Sequence, residues 1–310
     1  MKYYLIVNPL AGRGYAEKVI PQIEAGLRQH GLVYDLVLTE RPWHAADLAE
    51  SAAKSGYDVI VTASGDGTAN EAINGLMRTH RTGKARAAFS ILPVGTGNDM
   101  AYGLGIRGSL DASIAMLAKD YRRVVDIGLV RGGDYPGGRY FANGVGIGFD
   151  ATGGFVAAKI RWARGTLAYL IAVIQTIFIY YKAPTVEISY NDMRYSQSSL
   201  MVSIMNGRRM GGGFYMAPQS ELDDGHFDLC IAANPSRARI FGLIPYFLKG
   251  TQATQPEITT GRTDQITVTA LEGTLPAHCD GETLCEAGNE LTAQIVPSVL
   301  EIVTMESPGA

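Results

Sequence analysis

Two residues after an apolar run, Tyr57–Val61, the chain reads Ser64-Gly65-Asp66-Gly67-Thr68-Ala69-Asn70-Glu71, an acid held between two glycines. Glycines let a ligand come close to the backbone, and the amides that open a helix suit a phosphate. An aspartate beside phosphate is repelled unless a cation or a sugar hydroxyl lies between them, as in a nucleotide–Mg2+ site. Two further turns, "NPLAGRG" (Asn8–Gly14) and "PVGTGND" (Pro93–Asp99), carry the same chemistry. Any one of them reads equally well as a tight strand-to-helix connection. Three of them, each pairing glycine with Asn, Thr or Asp, point to a bound ligand. No GxxxxGK[ST] is present and no suitably placed GxGxxG, which argues against a P-loop and a dinucleotide fingerprint.

Two other segments bring acids together. "HCDGETL" (His278–Leu284) sets Asp280 and Glu282 around Gly281. Two residues apart on a strand, they are expected on one side, where paired carboxylates can raise one pKa and furnish a base. The alternative is a solvated turn with ordinary acids. "SELDDGHFDL" (Ser220–Leu229) contains Asp224-Gly225, a hairpin signal. Cys279, with no basic neighbour, is expected to be a small buried filler.

The elements that must position these residues follow from periodicity. Apolar runs at "YYLIVN", "YDLVLT", "DVIVTAS" and "AAFSILP" predict strands, separated by helical patterns over Gly14–His30, Trp43–Ser55 and Ala69–Met77. Such alternation predicts an open parallel α/β sheet, in which ligands bind at the carboxyl ends of the strands. After about Arg122 the pattern changes to "RRVVDIGLVRG", "RYFANGVGIGF", "TVEISYN", "QSSLMVSIMN", "FDLCIAA", "DQITVTA" and "LTAQIVP". These predict a mainly antiparallel β domain, interrupted by helical patterns at Ala157–Tyr181 and Arg237–Phe247. The expected organisation is an α/β domain over residues 1–125, a β-rich domain over 126–300 and a tail over 301–310.

Composition narrows the class. At 310 residues, 46% hydrophobic and 18% charged, the chain has the balance of a globular protein with room for two domains. A net charge of −3 argues against a dedicated nucleic-acid partner. Three dispersed cysteines, Cys230, Cys279 and Cys285, fit a reducing compartment. The N-terminus lacks the pattern of a signal peptide. Leu167–Tyr181 falls short of the ~20 residues that span a bilayer and contains Gln175 and Thr176, so a cytoplasmic protein is expected. That apolar stretch follows Arg161, Trp162 and Arg164, an entry suited to an anionic bilayer, although most of the helix is expected to be core. Arg208, Arg209 and Lys249 are weaker candidates for a headgroup or phosphate contact.

"SGDGTANEAINGL" and "LPVGTGNDMAYGLGI" together resemble the diacylglycerol kinase catalytic-domain superfamily, above all its compact bacterial lipid kinases, with sphingosine and ceramide kinases more distant. The resemblance extends through "NGVGIGFDA", "NGRRMGGGFYMAPQSELDDGHFDL" and "HCDGETL", over almost the whole chain. GDGT alone is shared with NAD kinases and phosphofructokinases; with GTxND it is specific. Ser64 stands where the family usually has glycine before GDGT. The resemblance implies an NAD-kinase/diacylglycerol-kinase-like α/β domain, an antiparallel β domain and an active site in the cleft between them. It implies ATP contacts at Asn8, Pro9, Leu10, Ala11, Gly12, Thr39, Gly65, Asp66, Gly67, Thr68, Ala69, Asn70, Glu71 and Thr96. It further implies a structural Mg2+ on the Asp224 carboxylate and the main-chain oxygens of Glu221 and His226, a turn whose oxygens suit a hard cation. Glu282 is then the base, and Asp280 orients it or assists the metal. The implied activity is ATP- and Mg2+-dependent phosphorylation of a membrane-lipid hydroxyl, diacylglycerol first, giving phosphatidic acid. Phosphatidylglycerol, a prenol and a ceramide-like lipid are not discriminated. The implied partner is the lipid substrate, met by reversible peripheral membrane contact; the oligomeric state, a homodimer included, is left open. The alternatives are an NAD kinase, or a non-catalytic nucleotide- or lipid-binding relative.

Overall fold

The fold is that of a computed structural model, which describes residues 1–81, 87–160, 165–179 and 183–305. Arg161, Trp162, Arg164 and the Tyr180-Tyr181 end of the predicted helix lie outside the described residues. The chain divides into two compact units, Met1–Val125 with Ser298–Ala310, and Asp126–Pro297.

The first unit runs β1 (Lys2–Val7), α1 (Ala11–Lys18), α2 (Ile20–Gln29), β2 (Val33–Leu38), α3 (His44–Lys54), β3 (Val59–Ser64), α4 (Asp66–Arg81), β4 (Ala88–Pro93), α5 (Asp99–Gly103) and α6 (Leu110–Lys119). Its strands form a parallel sheet in the order β4-β3-β1-β2. β3 is buried at every position, as its unbroken run of apolar and small residues requires of a central parallel strand. The register sets Val7 beside Leu38 and Ala63, and Ser64 beside Pro93. The strands therefore end level, and the turns after β1, β3 and β4 leave along one edge. The single helix predicted over Gly14–His30 is two. Pro21, lacking an N–H, is tolerated only in a first turn and opens α2, while Gly12, Arg13 and Gly14 are left-handed. α3 and α4 pack closely: a Cβ on Gly75 would lie 2.1 Å from the Ala46 carbonyl oxygen.

The second unit contains β6 (Tyr135–Phe141), β7 (Gly144–Gly148), α7 (Phe149–Lys159), α8 (Gly165–Ile179), β8 (Thr185–Tyr190), β9 (Met193–Met205), β10 (Arg209–Met210), β11 (Phe214–Tyr215), β12 (Phe227–Ala233), α9 (Arg237–Lys249), β13 (Ile258–Thr263), β14 (Gln265–Glu272), β15 (Leu275–Cys279) and β16 (Glu282–Gly288). β5 (Arg122–Gly132) leads the chain into it, and β17 (Glu290–Val303) leads the chain out. Within it, β16-β15-β7-β9-β8-β14-β17 neighbour one another in antiparallel pairs, and β12 lies between β9 and β13. Phe141 stacks on Phe227 with ring centroids 5.4 Å apart in one core cluster. Fully burying such a side chain contributes about 1.5–3 kcal/mol. A second cluster, with Phe149, Leu200, Met201, Leu243 and Phe247, lies beneath α9.

The sequence pattern misleads at three places here. "RYFANGVGIGF" is two strands, broken at Ala142-Asn143, whose N–H groups are used elsewhere, as described below. The long helical pattern is two helices, α7 starting earlier, at Phe149. The expected tail does not begin at 301: Ile302 pairs in parallel with Phe89, and Ser90 Oγ donates to the Val303 carbonyl at 3.0 Å. Leu300, Ile302 and Val303 are buried, which ties the returning chain to the first unit. Among the described residues no helix is long and apolar enough to cross a membrane.

Candidate active site

In the first unit the three glycine turns are built against one another. Asn8 holds its own turn, its Oδ1 accepting the Leu10 N–H at 3.0 Å while its Nδ2 donates to Thr68 Oγ1 at 2.8 Å. A Cβ on Gly12 would stand 2.3 Å from the Val94 carbonyl oxygen, and one on Gly95 2.3 Å from the Gly65 Cα. Glycine is thus required for the turns to touch, besides any need of a ligand. Asp66, placed by sequence beside a cation or sugar, spends its carboxylate on the third turn. Its Oδ1 accepts the Met100 N–H at 2.9 Å and its Oδ2 the Asp99 N–H at 3.3 Å. Asn98, left-handed, closes that turn by accepting the Gly95 N–H at 3.0 Å.

The expected nucleotide residues divide by exposure. Leu10 and Thr96 are exposed, Gly12, Thr39, Gly65, Asp66, Gly67, Thr68 and Glu71 are half-buried, and Ala69 and Asn70 are fully buried. The last two face the core because α4 begins at Asp66, so Ala69 and Asn70 lie in its first turns; Asn74 Nδ2 donates to the Asn70 carbonyl at 2.9 Å. Thr39 follows β2, its N–H donating to the Val7 carbonyl at 2.9 Å, which places it beside Asn8. Pro9 and Ala11 complete the first turn.

In the second unit, Cys279 pairs with Glu282, and the residues between them, Asp280 (φ 47°) and Gly281 (φ 84°), are both left-handed. This is the two-residue hairpin turn for which Asp-Gly is favoured. Strand alternation does not apply across it, and the expectation of Asp280 and Glu282 side by side on one strand face is corrected. Asp280, 3% exposed, accepts the Ala142 N–H on Oδ2 at 2.9 Å and the N–H groups of Asn143 and Gly144 on Oδ1 at 3.0 and 2.9 Å. These are the amides that interrupt the predicted strand. Glu282 is half-buried, and no hydrogen bond or ion pair among the described residues engages its carboxylate. Burial pushes the Cys279 thiol far up, so it is no nucleophile.

The Glu221–His226 segment is an irregular loop ahead of β12. Asp224 Oδ1 accepts the His226 N–H at 3.0 Å, and Oδ2 is ion-paired with Arg262. The Asp224 main-chain oxygen lies 2.7 Å from His226 Nδ1. Glu221 and His226 are exposed. As arranged, these residues do not form an open oxygen cage for Mg2+: a guanidinium stands at the carboxylate that the metal would need. No group of three His, Cys, Asp or Glu side chains suited to a metal occurs among the described residues. Sequence reasoning missed the residues that hold this loop. Asp126, 1% exposed, accepts the Gly225 N–H at 2.7 Å, and its own N–H donates to the Leu222 carbonyl at 2.6 Å. Asn206 Nδ2 donates to the carbonyls of Asp126 and Ala142 at 3.0 and 2.9 Å. An acid inside the apolar run "VVDIG" was the available signal. Asp228, 2% exposed, is raised above the ordinary carboxylate range by burial, against the opposing pull of Gln219 and Arg262. Arg208, a weak headgroup candidate, instead donates to the Ser220 carbonyl at 2.9 Å.

A parallel sheet edged by interlocked glycine turns, with a β unit presenting a spare carboxylate, defines a kinase-like class. Residues 2–130 match the diacylglycerol kinase catalytic domain, and residues 143–304 match the YegS C-terminal NAD kinase beta sandwich-like domain. A diacylglycerol kinase of Bacillus subtilis strain 168 is 30% identical over 286 residues, covering 90% of this chain and 88% of that protein. A Pseudomonas aeruginosa PAO1 protein named "Probable lipid kinase YegS-like" is 29% identical over 300 residues, with 94% and 92% covered. The crystal structure of a diacylglycerol kinase from Bacillus anthracis str. Sterne superposes with a TM-score of 0.73 at 21% identity, over 98% of this chain and 96% of that one, a likeness of fold. The chain belongs to the diacylglycerol kinase catalytic-domain family of lipid kinases.

Proposed function

We propose that this chain transfers the γ-phosphoryl group of ATP to a hydroxyl of a membrane lipid, with diacylglycerol as the first acceptor to test and phosphatidic acid as its product. The observation that carries the reading is the contrast between two neighbouring acids. Asp280 spends its carboxylate on three backbone N–H groups, whereas Glu282 stands half-buried without a partner among the described residues. An alcohol is a poor nucleophile at neutral pH. A carboxylate that takes its proton as the oxygen attacks phosphorus contributes about 10²–10⁴ in rate. In this reading Glu282 is that base and Asp280 a positioning residue, fixing the turn from which Glu282 projects.

The nucleotide half of the reading is supported by the turns after β1, β3 and β4 and by the N-terminus of α4, whose amides suit phosphate. ATP supplies the phosphoryl group as a substrate, and Mg2+ enters the reaction with it. The lipid half is supported by the exposed apolar residues Leu167 and Phe178 on α8, which suit reversible contact with the cytoplasmic face of a bilayer. The test is transfer of labelled phosphate from ATP in two parallel assays, one with NAD and one with diacylglycerol, phosphatidylglycerol, a prenol and a ceramide. Label is expected in a lipid and not in NADP. Label in NADP alone would replace this reading with an NAD kinase. Label in neither, with the protein folded and ATP bound, would make it a non-catalytic relative.

A further inference from the structure

The family resemblance calls for a cation at the Asp224 turn, and the chain brings one of its own there. Arg262 lies on β13 directly opposite Asp228 of β12 in the antiparallel register, so the two side chains leave the sheet on one face. Its guanidinium is ion-paired with Asp224 Oδ2, and its Nε lies 3.8 Å from Asp228 Oδ1. One planar fork thus faces the carboxylates at both ends of the segment 224–228 and joins the loop to the strand that follows it. The arginine is also held from behind. Asn191 Nδ2 donates to the Arg262 carbonyl at 3.0 Å, and Asn191 Oδ1 accepts the hydroxyl of neighbouring Thr263 at 2.9 Å. Those bonds fix the backbone from which the side chain starts.

The oxygens of the loop are already committed. Asp224 Oδ1 accepts the His226 N–H at 3.0 Å, Asp228 Oδ1 accepts the Gln219 amide at 3.2 Å, and the Leu222 carbonyl accepts the Asp126 N–H at 2.6 Å. Mg2+ demands near-octahedral oxygen ligands at about 2.0–2.1 Å. To reach Asp224 Oδ2 it would have to displace a guanidinium that stays charged at any physiological pH and repels it. Burial points the same way. The Asp224 and Asp228 side chains are 23% and 3% exposed, whereas that of Arg262 is 52% exposed. Acids so placed need a counter-charge, and the arginine supplies it while its outer edge stays hydrated.

We infer that Arg262 is the resident counter-ion of this turn, and that in this chain it takes the place of the structural Mg2+ that the resemblance implies. The Mg2+ that arrives with ATP is a different ion, and the inference does not depend on the identity of the lipid. Melting of the full chain without nucleotide tests it. Wild type is expected to melt at the same temperature in EDTA and in millimolar Mg2+. Arg262→Ala should melt lower in EDTA, because two acids lose their cation. Millimolar Mg2+ should then raise its melting temperature, and Asp224→Asn added to Arg262→Ala should remove that rise. Mn2+, followed by its electron paramagnetic resonance, is expected to bind the Asp224-dependent site of Arg262→Ala at least about tenfold more tightly than it binds wild type. Arg262→Lys keeps the charge without the fork, so it should recover part of the lost stability and stay indifferent to Mg2+. A wild-type melting temperature that climbs with Mg2+, and stops climbing in Asp224→Asn, overturns the inference, since the metal then displaces the arginine. So does an Arg262→Ala protein that melts like wild type in EDTA, or one that is destabilised and gains nothing from Mg2+.

Discussion

Asp280 and Glu282 differ by one methylene in chemistry and by everything in surroundings. The DGE order was legible in sequence, but the direction of Asp280 was not, because period-two alternation holds on strands and fails across a left-handed Asp-Gly turn. Their variants are therefore predicted to fail differently. Glu282→Gln preserves shape and touches no described hydrogen bond, so ATP binding and melting temperature should hold while turnover falls by about 10²–10⁴. Asp280→Asn turns an amide donor toward backbone N–H groups that need an acceptor. It should cost about 1–3 kcal/mol of stability, seen as a lowered urea midpoint, with turnover reduced through displacement of Glu282. A fully stable but inactive Asp280→Asn beside an active Glu282→Gln would exchange the two roles.

At the scale of elements, the glycine turns were found from sequence, and their mutual contacts were not. Residue types reveal that Gly12 and Gly95 need room, but only the fold shows that the room is taken by Val94 and Gly65. Asp66 is the sharpest case. It ties the start of α4 to the start of α5, so Asp66→Ala should lower the melting temperature as well as weaken ATP binding, each lost charge-assisted bond being worth about 1.5–3 kcal/mol. Unchanged melting would make the carboxylate a ligand group alone. The start of β12 offers a test in pH. Asp228 has its folded pKa raised by burial, so between the ordinary carboxylate value and the raised one the folded state binds more protons. Its contribution to stability is therefore largest in acid and falls as pH rises through the raised pKa. Asp228→Asn removes that fall, so in paired urea titrations the mutant should gain on the wild type as pH rises from the ordinary carboxylate value through the raised one. A constant difference would mean that the Arg262 pairing offsets burial, and a difference of opposite slope that it outweighs it.

At the scale of the whole molecule, the change from alternating strands and helices to successive strands near residue 125 was readable from periodicity. The return of the chain was not, since "SVLEIV" looks like any terminal strand and its partner Phe89 lies far away in sequence. Deleting residues 298–310 should expose the surfaces that bury Leu300, Ile302 and Val303 and break the Thr304–Leu104 hydrogen bond. At about 1.5–3 kcal/mol per side chain, that loss is comparable with the ~5–15 kcal/mol that holds a domain together. The truncated chain is expected to unfold its first unit, seen as a lost or strongly lowered first transition; an unchanged melt would make the segment dispensable. The central claim, that this chain phosphorylates a lipid alcohol with Glu282 as base, is tested most directly by incubating wild type and Glu282→Gln with γ-labelled ATP and a total lipid extract, then separating the products. The account predicts a labelled phospholipid from the wild type and about 10²–10⁴ less from the variant at equal ATP occupancy. Equal labelling by both proteins, or no labelled lipid from a folded, ATP-binding wild type, would contradict it.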